Sequence, residues 1–261
     1  MRIRSAVLVS VLSFAFIAIG CGGGTESGSE AQSTVPAAPP PAAAAPAGTA
    51  KITGTVHFKG TPPQARRIRL DAECDGLHAG EVVQAETVVI NANNTLKHVF
   101  VYVKEGLGDQ TFAPPAEPVL FDQTGCMYKP HVFGIQVGQT MKILNSDPLL
   151  HNIHALPEQN RPFNFGMPKQ GDERERTFMV PEVMVKIKCD VHPWMGAWAG
   201  VVAHPFHSTT GETGTFSLDN LPAGQYVIEA WQEEYGLKSQ TITVGDGQAV
   251  TLDFEFGDAA S

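Results

Sequence analysis

Cys189, His192 and Met195 recur at three-residue intervals in the run Cys189-Asp190-Val191-His192-Pro193-Trp194-Met195, and His151-Asn152 lies upstream. A thiolate, two imidazoles and a thioether form a donor set suited to copper in both of its redox states. Sulfur favours Cu(I), imidazole suits Cu(II), and a weak axial Met leaves a geometry that changes little when one electron arrives. In a tight loop Cys189 and His192 can take two corners of one ion while Met195 caps it axially, and Pro193 removes a backbone donor and limits the loop's freedom. His151, from a second loop, completes a His2Cys plane. Cys-x-x-His fragments also occur in zinc sites, but zinc normally takes Cys, His or carboxylate and has little use for a thioether.

This segment resembles the C-terminal ligand loop of the cupredoxins, the small blue copper proteins, and its short form is similar to that of the amicyanins. The upstream half resembles them too: Tyr128-Lys129-Pro130, Val137-Gly138-Gln139-Thr140, Lys142-Ile143-Leu144-Asn145 and then His151-Asn152-Ile153. The resemblance, strongest over about residues 126–203, implies one type 1 copper ion with His151, Cys189 and His192 as strong ligands and Met195 as the weak axial one. It makes Asn152 the residue that fastens the two ligand loops. Pro193 and Trp194 then lie around the metal, and if the imidazole edge of His192 is exposed as in that family, this rim is the natural electron port. His154 offers a further imidazole, although on a strand it points to the opposite face from His151.

The chain of 261 residues carries a formal charge of -9, which disfavours nucleic acid as a partner. Arg2 and Arg4 precede an apolar run ending in Ala18-Ile19-Gly20-Cys21. This reads as an export signal, and its ending resembles a bacterial lipoprotein signal, with cleavage before Cys21 and lipid on its thiol. Loss of residues 1–20 removes two positive charges, Arg2 and Arg4, and takes -9 to -11. Residues 21–50, rich in Gly, Ala and Pro, then read as a tether too apolar-poor to fold. With Cys21 lipidated and Cys189 on metal, Cys74 and Cys126 remain for a disulfide in an oxidising compartment. The alternative is a second soft-metal site at Cys126-Met127 with His131.

The elements that must position these residues are strands. Alternation predicts them at residues 51–59, 87–90, 97–103, 119–121, 184–188 and 198–202. Two short strands are expected within 128–145, and residues 157–176 read as polar turns. His57, His204 and His207 read as surface residues, and His98 as packed or exposed. Beyond residue 205, strand–turn–strand patterns at 214–231 and 239–256 resemble the second half of a transthyretin-like β-sandwich of the carboxypeptidase-regulatory type. Gly54-Thr55-Val56 resembles the opening strand of such a module.

The expected fold is all-β: a Greek-key cupredoxin β-sandwich combined with a small transthyretin-like β-sandwich. The expected divisions are a signal at 1–20, a lipidated tether at 21–50, an N-terminal β region at 51–118, the copper-binding region at 119–204, the β module at 205–257 and a tail at 258–261. The function that follows is a copper protein, anchored by lipid in the bacterial envelope, that carries single electrons to and from a cytochrome or other redox protein. No catalysed bond-making and no small-molecule substrate is expected. A copper chaperone and a non-redox envelope binding protein are the competing readings.

Overall fold

The computed structural model describes residues 48–257; the expected signal, Cys21 and most of the tether lie outside them. The chain opens with β1 (Ala50–Lys59), a short helix α1 (Ala72–Gly76), β2 (Val89–Ile90), β3 (Leu96–Lys97) and β4 (Phe100–Glu105). In β1, Ile52, Val56 and Phe58 face the core while Lys51, His57 and Lys59 face water, the period of a half-buried strand. The continuous strand expected over 97–103 is interrupted at His98, whose φ of 63° turns the chain between β3 and β4.

Nine strands follow: β5 (Val119–Gln123), β6 (Tyr128–Lys129), β7 (Val132–Gln136), β8 (Thr140–Asn145), β9 (His151–Leu156), β10 (Phe163–Met167), β11 (Glu173–Thr177), β12 (Glu182–Lys188) and β13 (Gly196–Val202). They form two sheets, ordered β10-β9-β12-β13-β7 and β11-β8-β5-β6. Between the sheets lies a core that includes Phe121, Tyr128, Ile135, Ile143, Ile153, Val185 and Ile187. Each large apolar side chain so buried contributes roughly 1.5–3 kcal/mol.

The chain then forms β14 (His207–Thr209), β15 (Thr215–Leu221), β16 (Gly224–Gln232), β17 (Gly236–Val244), β18 (Ala249–Thr251) and β19 (Phe254–Gly257). These pair with the first strands. β1 lies between β15 and β18 and also pairs β19, and β4 lies between β14 and β16. A second core forms from Ile52, Val56, Val101, Val103, Phe216, Ile228 and Phe254 among others. The polypeptide thus leaves one sandwich after β4, builds the other with β5–β13, and returns at β14.

β4 joins the two. Val99, Val101 and Val103 point into the core it shares with β1 and β16, while Phe100 and Tyr102 pack on Val132 and Val202 of the other sandwich. The approach is close enough to require glycine. A Cβ on Gly200 would lie 2.4 Å from the Phe100 ring, and one on Gly134 2.2 Å from the His207 ring.

The region expected to be polar turns, 157–176, instead contains β10 and most of β11. Met167 is fully buried, and the Arg176 guanidinium lies 4.4 Å from the centre of the Phe165 ring. Its two short runs are masked in sequence by intervening polar residues, and pairing with β9 and β8 supplies their order. Three strands rather than two occupy 128–145. His204 and His207 are half-buried, not surface residues: burial pushes each imidazole down to about 4.

Candidate metal centre

β9 begins at His151, and β12 ends one residue before Cys189. These strands pair side by side, with Lys188 opposite His154, so both ligand-bearing segments emerge at one end of the same sheet. The following turn is held by two backbone hydrogen bonds: Met195 N–H donates to the His192 carbonyl, and Cys189 N–H donates to that of Met195. The turn folds back so that His192 N–H approaches the Cys189 sulfur at 3.4 Å.

One ligand atom from each of His151, Cys189 and His192 lies within 4.8 Å of the others, and all three residues are buried. The two Nδ1 atoms are 2.9 Å apart, and Cys189 Sγ is 3.9 Å from His192 Nδ1. Metal bonds of about 2.0 Å to nitrogen and about 2.3 Å to sulfur, the lengths seen for zinc, span both separations, so one ion fits these donors. Met195 is buried in the same core beside Cys189. His154 is not in the cluster. Its Nδ1 lies 2.9 Å from Asp190 Oδ2 on the other face of β9.

Asn152 ties the two segments together. Its Oδ1 accepts Asp190 N–H at 2.5 Å, and its Nδ2 donates to Asn164 of β10. Tyr128 hydroxyl donates to the Asn152 carbonyl at 2.5 Å. Pro193 is exposed, whereas Trp194 packs against His192 with ring centres 5.2 Å apart and donates its Nε1–H to the Cys126 carbonyl.

Two carboxylates absent from the sequence reading complete the surroundings. Asp147 Oδ2 lies 2.8 Å from His151 Nε2, and Asp71 Oδ2 lies 3.6 Å from His192 Nε2. A carboxylate on the outer nitrogen of an imidazole orients the ring and makes its other nitrogen more basic. Asp147, four residues ahead of His151, was within reach of a sequence argument; Asp71, 121 residues ahead of His192, was not.

Cys74 and Cys126 form a disulfide, with an S–S distance of 2.03 Å. This bond, α1 and Trp194 cover His192, which is only 5% exposed. The condition for an exposed imidazole rim is therefore not met: residues 71–78 lie over His192, held through the disulfide and through His78 Nε2 at 2.8 Å from the Gly125 carbonyl.

The electrostatics of the three donors differ. Burial raises the Cys189 thiol, but hydrogen bonds from His151 and the surrounding backbone outweigh it and leave the pKa below its ordinary value. That favours the thiolate, the form that ligates metal. Burial also opposes charge on His151, yet its hydrogen bonds to Asp147 and Cys189 raise it to about 9, so a metal ion binding there must displace a proton. His192 is lowered by burial and by the neighbouring His151, which favours its neutral, ligating form.

Residues 199–257 match the carboxypeptidase regulatory-like domain family. No curated protein matches the chain. Among solved structures, the chain is similar to the purple cupredoxin of Nitrosopumilus maritimus, with 26% identity over 32% of this chain and 98% of that one, at a TM-score of 0.27. It is also similar to a reduced Cu(I) form of an amicyanin variant, with 19% identity over 39% of this chain and 97% of that one, at a TM-score of 0.30. The copper-containing nitrite reductase of Thermus scotoductus SA-01 shows 25% identity over 36% of this chain and a TM-score of 0.29, but only 24% of its own length is spanned.

The fold is all-β, with two β-sandwiches that meet at β4. The carboxypeptidase regulatory-like match takes in the end of β13 in the first and β14–β19, which build the second with β1 and β4.

Proposed function

We propose that this chain is a copper protein that carries single electrons, with His151, Cys189, His192 and Met195 holding one ion. The observation that carries the reading is the convergence of one thiol and two imidazoles, all buried, within 4.8 Å. Bound copper would supply one-electron chemistry between Cu(II) and Cu(I). The residues around it do the rest. Asn152 keeps the two ligand segments in register, and Asp147 holds the His151 ring so that Nδ1 faces the Cys189 loop. Trp194 and the Cys74–Cys126 bond keep water from His192. A packed, preformed donor set of this kind favours electron transfer because little must move when charge arrives. With four protein donors the site leaves no position for a substrate, which favours a carrier over an enzyme.

We place the carrier in the bacterial envelope, attached by lipid at Cys21, on the strength of the sequence before residue 22; its partner would be a cytochrome or other redox protein. Electrons would reach His192 through the cover formed by residues 71–78 and Trp194.

Repeated electrochemical cycling of the copper-loaded protein in the presence of a Cu(I) chelator tests this. A carrier keeps its copper through successive cycles. Loss of copper to the chelator on the first reduction would identify a copper donor instead.

A further inference from the structure

The Cys74–Cys126 disulfide lies against the candidate metal centre itself. Both sulfurs and a ring nitrogen of His192 lie within 4.8 Å of one another, and all three residues are buried. The same two carboxylates that face the histidines also hold the disulfide's backbone. Asp71 Oδ1 accepts Cys74 N–H at 2.8 Å, while Asp147 accepts Gly125 N–H at 2.7 Å and Cys126 N–H at 2.8 Å. Two contacts that do not pass through the S–S bond also hold residues 71–78 against the site: Asp71 Oδ2 lies 3.6 Å from His192 Nε2, and His78 Nε2 lies 2.8 Å from the Gly125 carbonyl.

We propose that Cys74 and Cys126, once reduced, form with His192 a second site that binds Cu(I) through two thiolates and one imidazole. A dithiol reductant supplies two electrons and two protons, the S–S bond breaks to two thiols, and the reductant leaves as its own disulfide. Binding of Cu(I) then releases the two thiol protons to water. Soft thiolate donors select Cu(I). α1 is a five-residue helix whose residues on either side of Cys74 are exposed, so a local opening there admits the reductant. The site rests on the copper reading above, because His192 serves both sites, one ring nitrogen facing His151 and the other Asp71. It would let the protein retain Cu(I) under reducing conditions.

Anaerobic competition for Cu(I) against bicinchoninate tests this on the full-length chain carrying Cys189→Ser, before and after treatment with a phosphine reductant that is then removed. The same chain carrying Cys21→Ser as well removes any thiol that reduction frees at Cys21. Reduction should raise Cu(I) affinity at least tenfold, and adding His192→Ala should remove most of that gain. Equal affinity before and after reduction, or a gain indifferent to His192→Ala, overturns the site, the latter because an unstructured dithiol would then suffice. X-ray absorption at the copper edge of the Cys189→Ser chain, loaded with one Cu(I), gives a second readout. Reduction should add sulfur neighbours in Cys189→Ser but not when Cys74→Ser/Cys126→Ser is added, and an unchanged sulfur shell in Cys189→Ser overturns the site. The visible band of the disulfide-intact Cu(II) protein tests the carrier reading separately, since Cys74 and Cys126 do not contribute to it.

Discussion

Asp147 stands directly behind His151, its Oδ2 2.8 Å from Nε2, while the same carboxylate accepts the backbone N–H groups of Gly125 and Cys126. Asp71 takes the corresponding place behind His192 and caps the backbone at Cys74. The Cys74–Cys126 bond therefore joins the two segments that orient the two histidines. Ligand geometry and disulfide are one construction.

Asp147→Asn should lower copper affinity about 10- to 100-fold, because the amide is a weaker acceptor for His151 and for the turn at Cys126. Chelator competition measures it, with circular dichroism to show that the fold is kept. Unchanged affinity would mean that His151 is held by packing alone.

Met195→Leu removes the thioether while keeping comparable volume in the core. Copper should be retained with a changed reduction potential, since the axial ligand tunes such sites. Complete loss of copper from this variant would contradict the axial role.

His131 Nε2 lies 2.7 Å from Glu233 Oε2, linking the turn before β7 to the end of β16, with Glu86 and His98 packed alongside. Burial works against the charge on His131, but Glu233 outweighs it and raises the imidazole above its ordinary 6.5. Burial likewise opposes the charge on Glu233, yet His131 lowers it below 4.5. The histidine's contribution is full below 6.5 and is lost as pH rises through the raised value. The glutamate's is present above 4.5 and is lost as pH falls through the lowered one. Glu233→Gln should therefore cost on the order of 1 kcal/mol between these limits and less at pH 9, as measured by denaturant unfolding. A cost independent of pH would show that the charges do not matter.

Gly200→Ala would press a methyl group into the Phe100 ring, with the Cβ 2.4 Å from Phe100 Cε1. Overpacking of this kind costs about 1–3 kcal/mol, and a lowered thermal midpoint should report it. A neutral substitution would show that β4 and β13 can move apart at no cost.

Much of this arrangement was legible in the chain because its causes are local. Cys189, His192 and Met195 lie in one seven-residue turn, and the alternation of Val185 and Ile187 leads into it. His98 broke a strand that alternation alone would have continued, since a positive φ leaves no trace in hydropathy. The cover over His192 was illegible for a different reason. It comes from residues 71–78, which meet Cys126 across a sequence separation of 52 positions, and no periodicity encodes that distance. The resemblance of Gly54-Thr55-Val56 to an opening strand pointed to the return of β15, β18 and β19 to β1, whereas the pairing of β14 and β16 with β4 is set by packing rather than by local pattern.

The central claim is that the Cys189 thiolate binds copper together with His151 and His192. Visible absorption and electron paramagnetic resonance of the protein loaded with one equivalent of Cu(II), beside the same measurement on Cys189→Ser, test it most directly. The account predicts an intense visible band and a narrow copper hyperfine splitting in the native chain, both lost in the variant. A native spectrum without the band, or one that survives Cys189→Ser unchanged, would contradict it.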